Sequence, residues 1–104
     1  MNQVEKTPEF QKWYSKLDKS IKIRIDATIA KIELGNLGDH KPLDELTYEI
    51  RIHIPSGTRL YYMWQGKQLI LLLGGGNKAS QEKDIKQAKS LAREIAEGYK
   101  EWTQ

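Results

Sequence analysis

Tyr48-Glu49-Ile50-Arg51-Ile52-His53-Ile54 alternates with period two. A strand here turns Ile50, Ile52 and Ile54 to one side and Glu49, Arg51 and His53 to the other, because successive side chains of an extended chain point to opposite faces. One side supplies a core, and the other shows an acid, a guanidinium and an imidazole in a row. Residues 58–65 repeat the pattern, with Leu60, Tyr62 and Trp64 opposite Arg59, Tyr61 and Met63. Pro55-Ser56-Gly57 between the two runs suits a chain reversal, since proline fixes one dihedral and glycine accepts positive φ. A hairpin of these strands gathers two arginines and a histidine on one surface.

Working outward, residues 68–74 form a third run, joined through Gln65-Gly66-Lys67. Its nearly continuous Leu-Ile-Leu-Leu-Leu predicts a central strand covered on both faces. Gly74-Gly75-Gly76-Asn77 is expected to stop it. Ser80 then caps a long helix whose Ile85, Ala88, Ala92, Ile95, Tyr99 and Trp102 recur at intervals of three and four. Upstream, Thr7-Pro8 has the signature of a helix start, with threonine as N-cap and proline at the first helical position, and the helix runs to about Leu17. Asp18 caps a second helix with an apolar stripe of Ile21, Ile25, Ile29 and Ile32, ended by Gly35-Asn36. Residues 35–47 read as a surface loop, and there is room for a short strand centred on Val4 before Thr7.

At 104 residues the chain is the size of one domain spanning 1–104. Seventeen Lys and Arg against fourteen Asp and Glu leave a formal charge of +3, which permits contact with nucleic acid without demanding it. With no cysteine, disulfides, thiolate metal sites and cysteine nucleophiles are excluded. The start lacks a signal-like apolar segment, and the run at 69–73 falls far short of the ~20 residues of a spanning helix. A soluble, cytoplasmic protein without a membrane segment is expected. The fold class is α+β: a small antiparallel sheet with two N-terminal helices and a C-terminal helix packed on its apolar face. The opposite face, bearing Arg51, His53, Arg59 and Tyr61, is expected to stay open, where single-stranded nucleic acid could lie on aromatic and cationic side chains.

Tyr48-Glu49-Ile50-Arg51-Ile52-His53, Ser56-Gly57-Thr58-Arg59-Leu60-Tyr61-Tyr62 and Leu71-Leu72-Leu73-Gly74-Gly75-Gly76-Asn77-Lys78-Ala79-Ser80-Gln81, closed by Asp84-Ile85, carry a further message. With Gly35-Asn36-Leu37-Gly38-Asp39-His40-Lys41-Pro42 upstream, they resemble the addiction module killer proteins. These are RelE/HigB-like toxins of bacterial type II toxin-antitoxin pairs, within the RelE/ParE superfamily. The resemblance covers nearly the whole chain in order. Thr58, Asn77 and Ala79 depart from the commonest pattern, where an aromatic, an Asp and a Ser or Thr are frequent. The resemblance implies a toxin that cleaves messenger RNA, generally in the ribosomal A site, and a cognate antitoxin that is usually a small helix-turn-helix protein. ParE-like relatives of the same architecture instead bind DNA gyrase, so a gyrase inhibitor is the rival expectation.

RNA cleavage without a metal or other cofactor needs the 2′-hydroxyl deprotonated, the leaving 5′-oxygen protonated and the phosphorane charge stabilised. His53 is the natural proton carrier, since imidazole titrates near neutral pH. Glu49, on the same face, would orient it or act as a base. Arg51 and Arg59 offer planar donor forks to phosphate, where one well-placed donor is commonly worth ~3 to 4 kcal/mol. Lys78 is a third cation, and Lys41, Tyr61 and Gln81 are candidates for holding RNA. The plainer alternatives are a solvated His53 and cross-strand pairs of the arginines with Glu49, worth only ~0.2 to 1 kcal/mol. The glycine run lacks the Walker spacing and its trailing Lys-Ser/Thr, which argues against a nucleoside triphosphate site.

Overall fold

The computed structural model describes residues 1–98. Eight elements follow in order: β1 (Gln3–Lys6), α1 (Pro8–Ser15), α2 (Lys19–Glu33), β2 (His40–Pro42), β3 (Tyr48–Arg51), β4 (Arg59–Gln65), β5 (Leu69–Gly76) and α3 (Gln81–Ala96). The five strands form one sheet in the order β1-β5-β4-β3-β2. β1 runs parallel to β5 and the other neighbours are antiparallel, so the sheet is mixed. The α+β class expected from the sequence is the class observed. No described helix is long and apolar enough to cross a membrane.

Both helices anticipated near the N-terminus begin where expected, at Pro8 and Lys19, but the Asp18 and Ser80 side chains expected to cap α2 and α3 make no capping hydrogen bond. Thr7 is fully buried; its Oγ1 accepts from the Phe10 N–H at 3.0 Å and donates to the Leu72 carbonyl at 2.8 Å, so one hydroxyl caps α1 and fastens it to β5. Phe10 of α1 and Ile25, Ile29 and Ile32 of α2 pack against Ile50, Ile52, Leu60, Tyr62, Ile70 and Leu72, the face the hairpin pattern assigned to the core.

α3 lies elsewhere than expected. Its Ala88, Leu91, Ala92 and Ile95 pack on Tyr61, Met63, Leu71 and Leu73, the opposite face of the sheet. The reason lies in β4 and β5, which carry large apolar side chains on both sides and must be covered twice to be removed from water. Much of the face expected to be open is therefore closed. Tyr99 and Trp102, assigned to the same helical stripe, lie outside the described residues.

Three smaller differences bear on the site. Residues 40–42 of the expected loop form β2 on the outer edge of β3. β3 stops at Arg51, after which the Ile52 N–H reaches the Thr58 carbonyl at 2.9 Å and the chain turns through Gly57 at φ +66°. β5 runs through its glycines instead of ending before them, with an irregularity in the ladder between Tyr61 and Tyr62, where Leu73 is the extra residue. Those glycines are needed for contact: the six-membered ring of Trp13 lies directly on Gly75, and the Asp84 carboxylate lies directly on Gly76.

Gly75→Ala should therefore push the indole aside and lower stability by about 1 to 3 kcal/mol. Gly74→Ala, where nothing stands within 4 Å of the added methyl, should change it by no more than about 0.5 kcal/mol. Urea unfolding of the two variants compares them directly.

Candidate functional site at the β3–β4 end of the sheet

Strand register sets two rows across the sheet. Lys41, Glu49, Tyr61 and Gly74 are successive partners in one row; Arg51, Arg59 and Gly76 are partners in the next. Facing residues of paired strands have Cβ atoms only about 4.5 to 5.5 Å apart, so Arg51 beside Arg59 concentrates positive charge at a cost unless an anion lies near.

Part of that charge is met by Glu49, which is only 2% exposed. Its Oε1 lies 3.9 Å from Arg59 Nε and accepts from Gln81 Nε2 at 3.3 Å, while Oε2 lies 3.9 Å from Lys41 Nζ. Arg59 is itself 6% exposed, and its Nη1 donates to the Gly57 carbonyl at 2.7 Å. Its Nε has no hydrogen-bond partner among the described residues. The guanidinium is thus hydrogen-bonded at one arm and in ion-pair range of Glu49 at Nε, which keeps it at this corner of the sheet. Lys78, exposed at the turn before α3, is bonded through its backbone N–H to the Ser56 carbonyl at 3.3 Å. Its Cβ and Arg59 Nη1 stand 3.0 and 3.3 Å from the point a Gly57 Cβ would occupy, so the turn glycine lets the two cations share one corner.

His53 lies beyond the end of β3, and its Nε2 stands 2.7 Å from Asp39 Oδ2, both side chains well exposed. Asp39 is in turn anchored by the Arg51 N–H, which donates to its carbonyl at 2.8 Å. The candidates thus form a chain: His53 on Asp39, Asp39 on the Arg51 backbone, Arg51 in register with Arg59, and Arg59 beside Lys78 and Glu49.

Three expectations change in this arrangement. Arg59, expected on an open face, is all but buried, because α3 and the β3–β4 turn close over that end of β4. Glu49 does not orient His53; it is committed to Arg59, Lys41 and Gln81, and Asp39 holds the imidazole. Tyr61 offers no stacking face to RNA, because it is fully buried beneath α3. Burial pushes its hydroxyl up to about 12, the Glu49 and Asp84 charges adding to the effect and Arg59 opposing it. Arg51, His53, Lys78 and Lys41 remain exposed, and Gln81 is half-buried. Asp39 was missed because a lone acid in a loop carries no periodic signal; only the pairing of β2 with β3 brings it within reach of a residue fourteen positions on.

Among the described residues, no group of three or more His, Asp or Glu side chains is placed to hold a metal ion. A groove of 670 Å³ between α1 and α3, walled by Trp13, Leu73 and Leu91, contains none of the candidate residues.

No family model matches the chain. It is 43% identical over 94 residues to an uncharacterized protein of Haemophilus influenzae, the match covering 89% of this chain and 95% of that one. Among solved structures it is similar to free Escherichia coli toxin RelE carrying two arginine-to-alanine changes, at 16% identity and a TM-score of 0.68, over 86% of this chain and 95% of that one. The chain belongs to the family of the Haemophilus protein and has the RelE fold. The intact E. coli RelBE toxin-antitoxin complex also matches, at 15% identity and a TM-score of 0.63, over 74% of this chain and 96% of that one. A copper-bound mutant toxin from Helicobacter pylori matches at 17% identity and a TM-score of 0.56, over 77% of this chain and 98% of that one. At these identities the RelE likeness is one of fold.

The Tyr61 hydroxyl is buried and has no hydrogen-bond partner among the described residues. Tyr61→Phe should therefore leave stability at neutral pH unchanged or raise it by up to about 1 kcal/mol. Because the folded-state hydroxyl is held above its ordinary 10, the wild-type chain keeps full stability below pH 10 and loses it as the pH rises toward 12. Tyr61→Phe should lessen that alkaline loss, as read by denaturant midpoints across the range.

Proposed function

We propose that this RelE-like chain is the toxin of a type II toxin-antitoxin pair: a cytoplasmic, metal-independent endoribonuclease that cuts messenger RNA, on the ribosome, by attack of the 2′-hydroxyl. The observation that carries the reading is the guanidinium of Arg59, held by Glu49 and the Gly57 carbonyl, with Arg51 in register beside it and Lys78 at the same corner. Oriented donors of this kind suit the charge that develops on a phosphorane, and they need no rearrangement when it forms.

His53 handles the proton. With Nε2–H donating to Asp39, the ring is fixed and Nδ1 is the nitrogen left to exchange a proton with the 2′-hydroxyl or the leaving 5′-oxygen. The nucleophile belongs to the RNA, so no serine or cysteine is required. Glu49 acts through Arg59 by fixing it, and Lys41 and Gln81, which touch Glu49, border the path of the strand. The partner is a cognate antitoxin, and the substrate is mRNA bound to the ribosome. An inhibitor of gyrase that works by protein binding alone has no use for an aligned histidine-carboxylate pair beside three cations.

Programmed ribosomes, naked mRNA and a gyrase supercoiling reaction, each incubated with the purified chain, separate the readings. Cleavage is expected with ribosomes, while inhibition of supercoiling without cleavage would overturn the proposal. His53→Ala should lower the cutting rate by about 10²- to 10⁴-fold, and Arg59→Ala by about 10²- to 10³-fold. Circular dichroism should confirm that each variant is folded. Asp39→Asn should show a smaller loss than His53→Ala.

A further inference from the structure

α2 has two apolar stripes, one of which is buried and the other left uncovered by the described residues. Ile25, Ile29 and Ile32 are buried in the core. Ile23, Ala27, Ala30 and Leu34, spaced four, three and four apart, all face solvent, Ile23 at 57% and Leu34 at 73% exposure. Among the described residues, the large apolar side chains most exposed to solvent are these two and Met1. Met1 belongs to the same surface, because Asn2 beside it is tied to the end of α2 by its N–H on the Glu33 carbonyl and its Nδ2 on the Ile32 carbonyl, each at 3.0 Å. Exposed apolar side chains gathered on one surface mark a contact with another protein.

The borders of this stripe say what kind. Arg24 and Lys31 line one side, seven residues apart, and neither side chain has an ionic or hydrogen-bond partner among the described residues. Asp26 and Glu33 line the other, Asp26 accepting from the Tyr14 hydroxyl. Spacings of three and four with charged borders are those of a helix that pairs with a helix, and the borders select the partner. A second copy of this chain gains little from these charges. Set antiparallel, basic border meets basic and acidic meets acidic; set parallel, the attraction of Asp26 for Lys31 of the other copy is offset by the repulsion between Lys19 and Arg24. The complementary occupant is a foreign amphipathic helix with acids facing Arg24 and Lys31.

We infer that this outer stripe of α2 is where the antitoxin docks a helix, on the side of the sheet away from the Glu49–Arg59 row. The inference rests on the toxin reading above, and it adds that capture of the toxin does not depend on the cations of the candidate site, Arg51, Arg59 and Lys78. The two small alanines at the centre of the stripe allow a close approach, with Ile23 and Leu34 as the outer anchors.

The probe is the protein encoded next to this chain, titrated against the purified chain by calorimetry. Ile23→Asp with Leu34→Asp should weaken binding by roughly 100-fold or more. Arg24→Glu with Lys31→Glu should weaken it about tenfold at low salt, the difference shrinking as salt is raised. Arg51→Ala should bind as wild type does. The Ile23 and Leu34 variant should still cut mRNA on ribosomes while escaping neutralisation. Equal binding by wild type and both stripe variants would overturn the docking inference and leave the nuclease reading intact, whereas no cutting by the wild-type chain would remove the reading itself. No binding of the adjacent gene product to the wild-type chain, or sedimentation showing a dimer of the chain alone that the Ile23 and Leu34 changes abolish, would also overturn the docking inference.

Discussion

The two inner strands, β4 and β5, are apolar on both faces, and the rest of the architecture follows from that. Leu60, Tyr62, Ile70 and Leu72 require cover on one side, and Tyr61, Met63, Leu71 and Leu73 on the other. Two helices on one face and one on the other supply it. What remains uncovered is the end of the sheet where β3 and the β3–β4 turn carry polar residues, and the chemistry-bearing side chains are concentrated there.

Glu49 links that scaffold to the charges at its end. A carboxylate this deeply buried is unfavourable unless its partners are close, and Arg59, Lys41 and Gln81 surround it. Such a pair adds little to stability and more to placement, because it keeps one guanidinium at the sheet's end. The glycines of β5 contribute in the same way. Trp13 and Asp84 both sit on positions without side chains, so α1 and α3 approach the strand closely and the turn bearing Lys78 stays in place.

Much of this was legible in the sequence. Period-two alternation at residues 48–54 and 58–65 identified the inward side chains correctly, and capping chemistry found the starts of α1 and α2. The side taken by α3 is not legible, although the unbroken apolar run of β5 demands two covered faces: alternation in β3 points to one wet face, and strand parity puts Tyr61 on it. The cationic row followed from strand parity alone. The partner of His53 did not, because Asp39 is a loop acid whose position depends on β2, a strand of three exposed residues that no periodicity announces. The fate of Glu49 was equally hidden, since a period-two pattern assigns a face and says nothing about whether a helix will lie over it.

β2 has a consequence of its own. Its three residues bury nothing, and one ladder to β3 holds it at the rim of the sheet, so this margin opens far more readily than the interior strands. Asp39 immediately precedes it. The arginine of the central strand stands on the most durable part of the molecule and the imidazole's carboxylate on the least, so fraying at that rim would disperse the proton-handling pair while helices, core and buried charges remained whole.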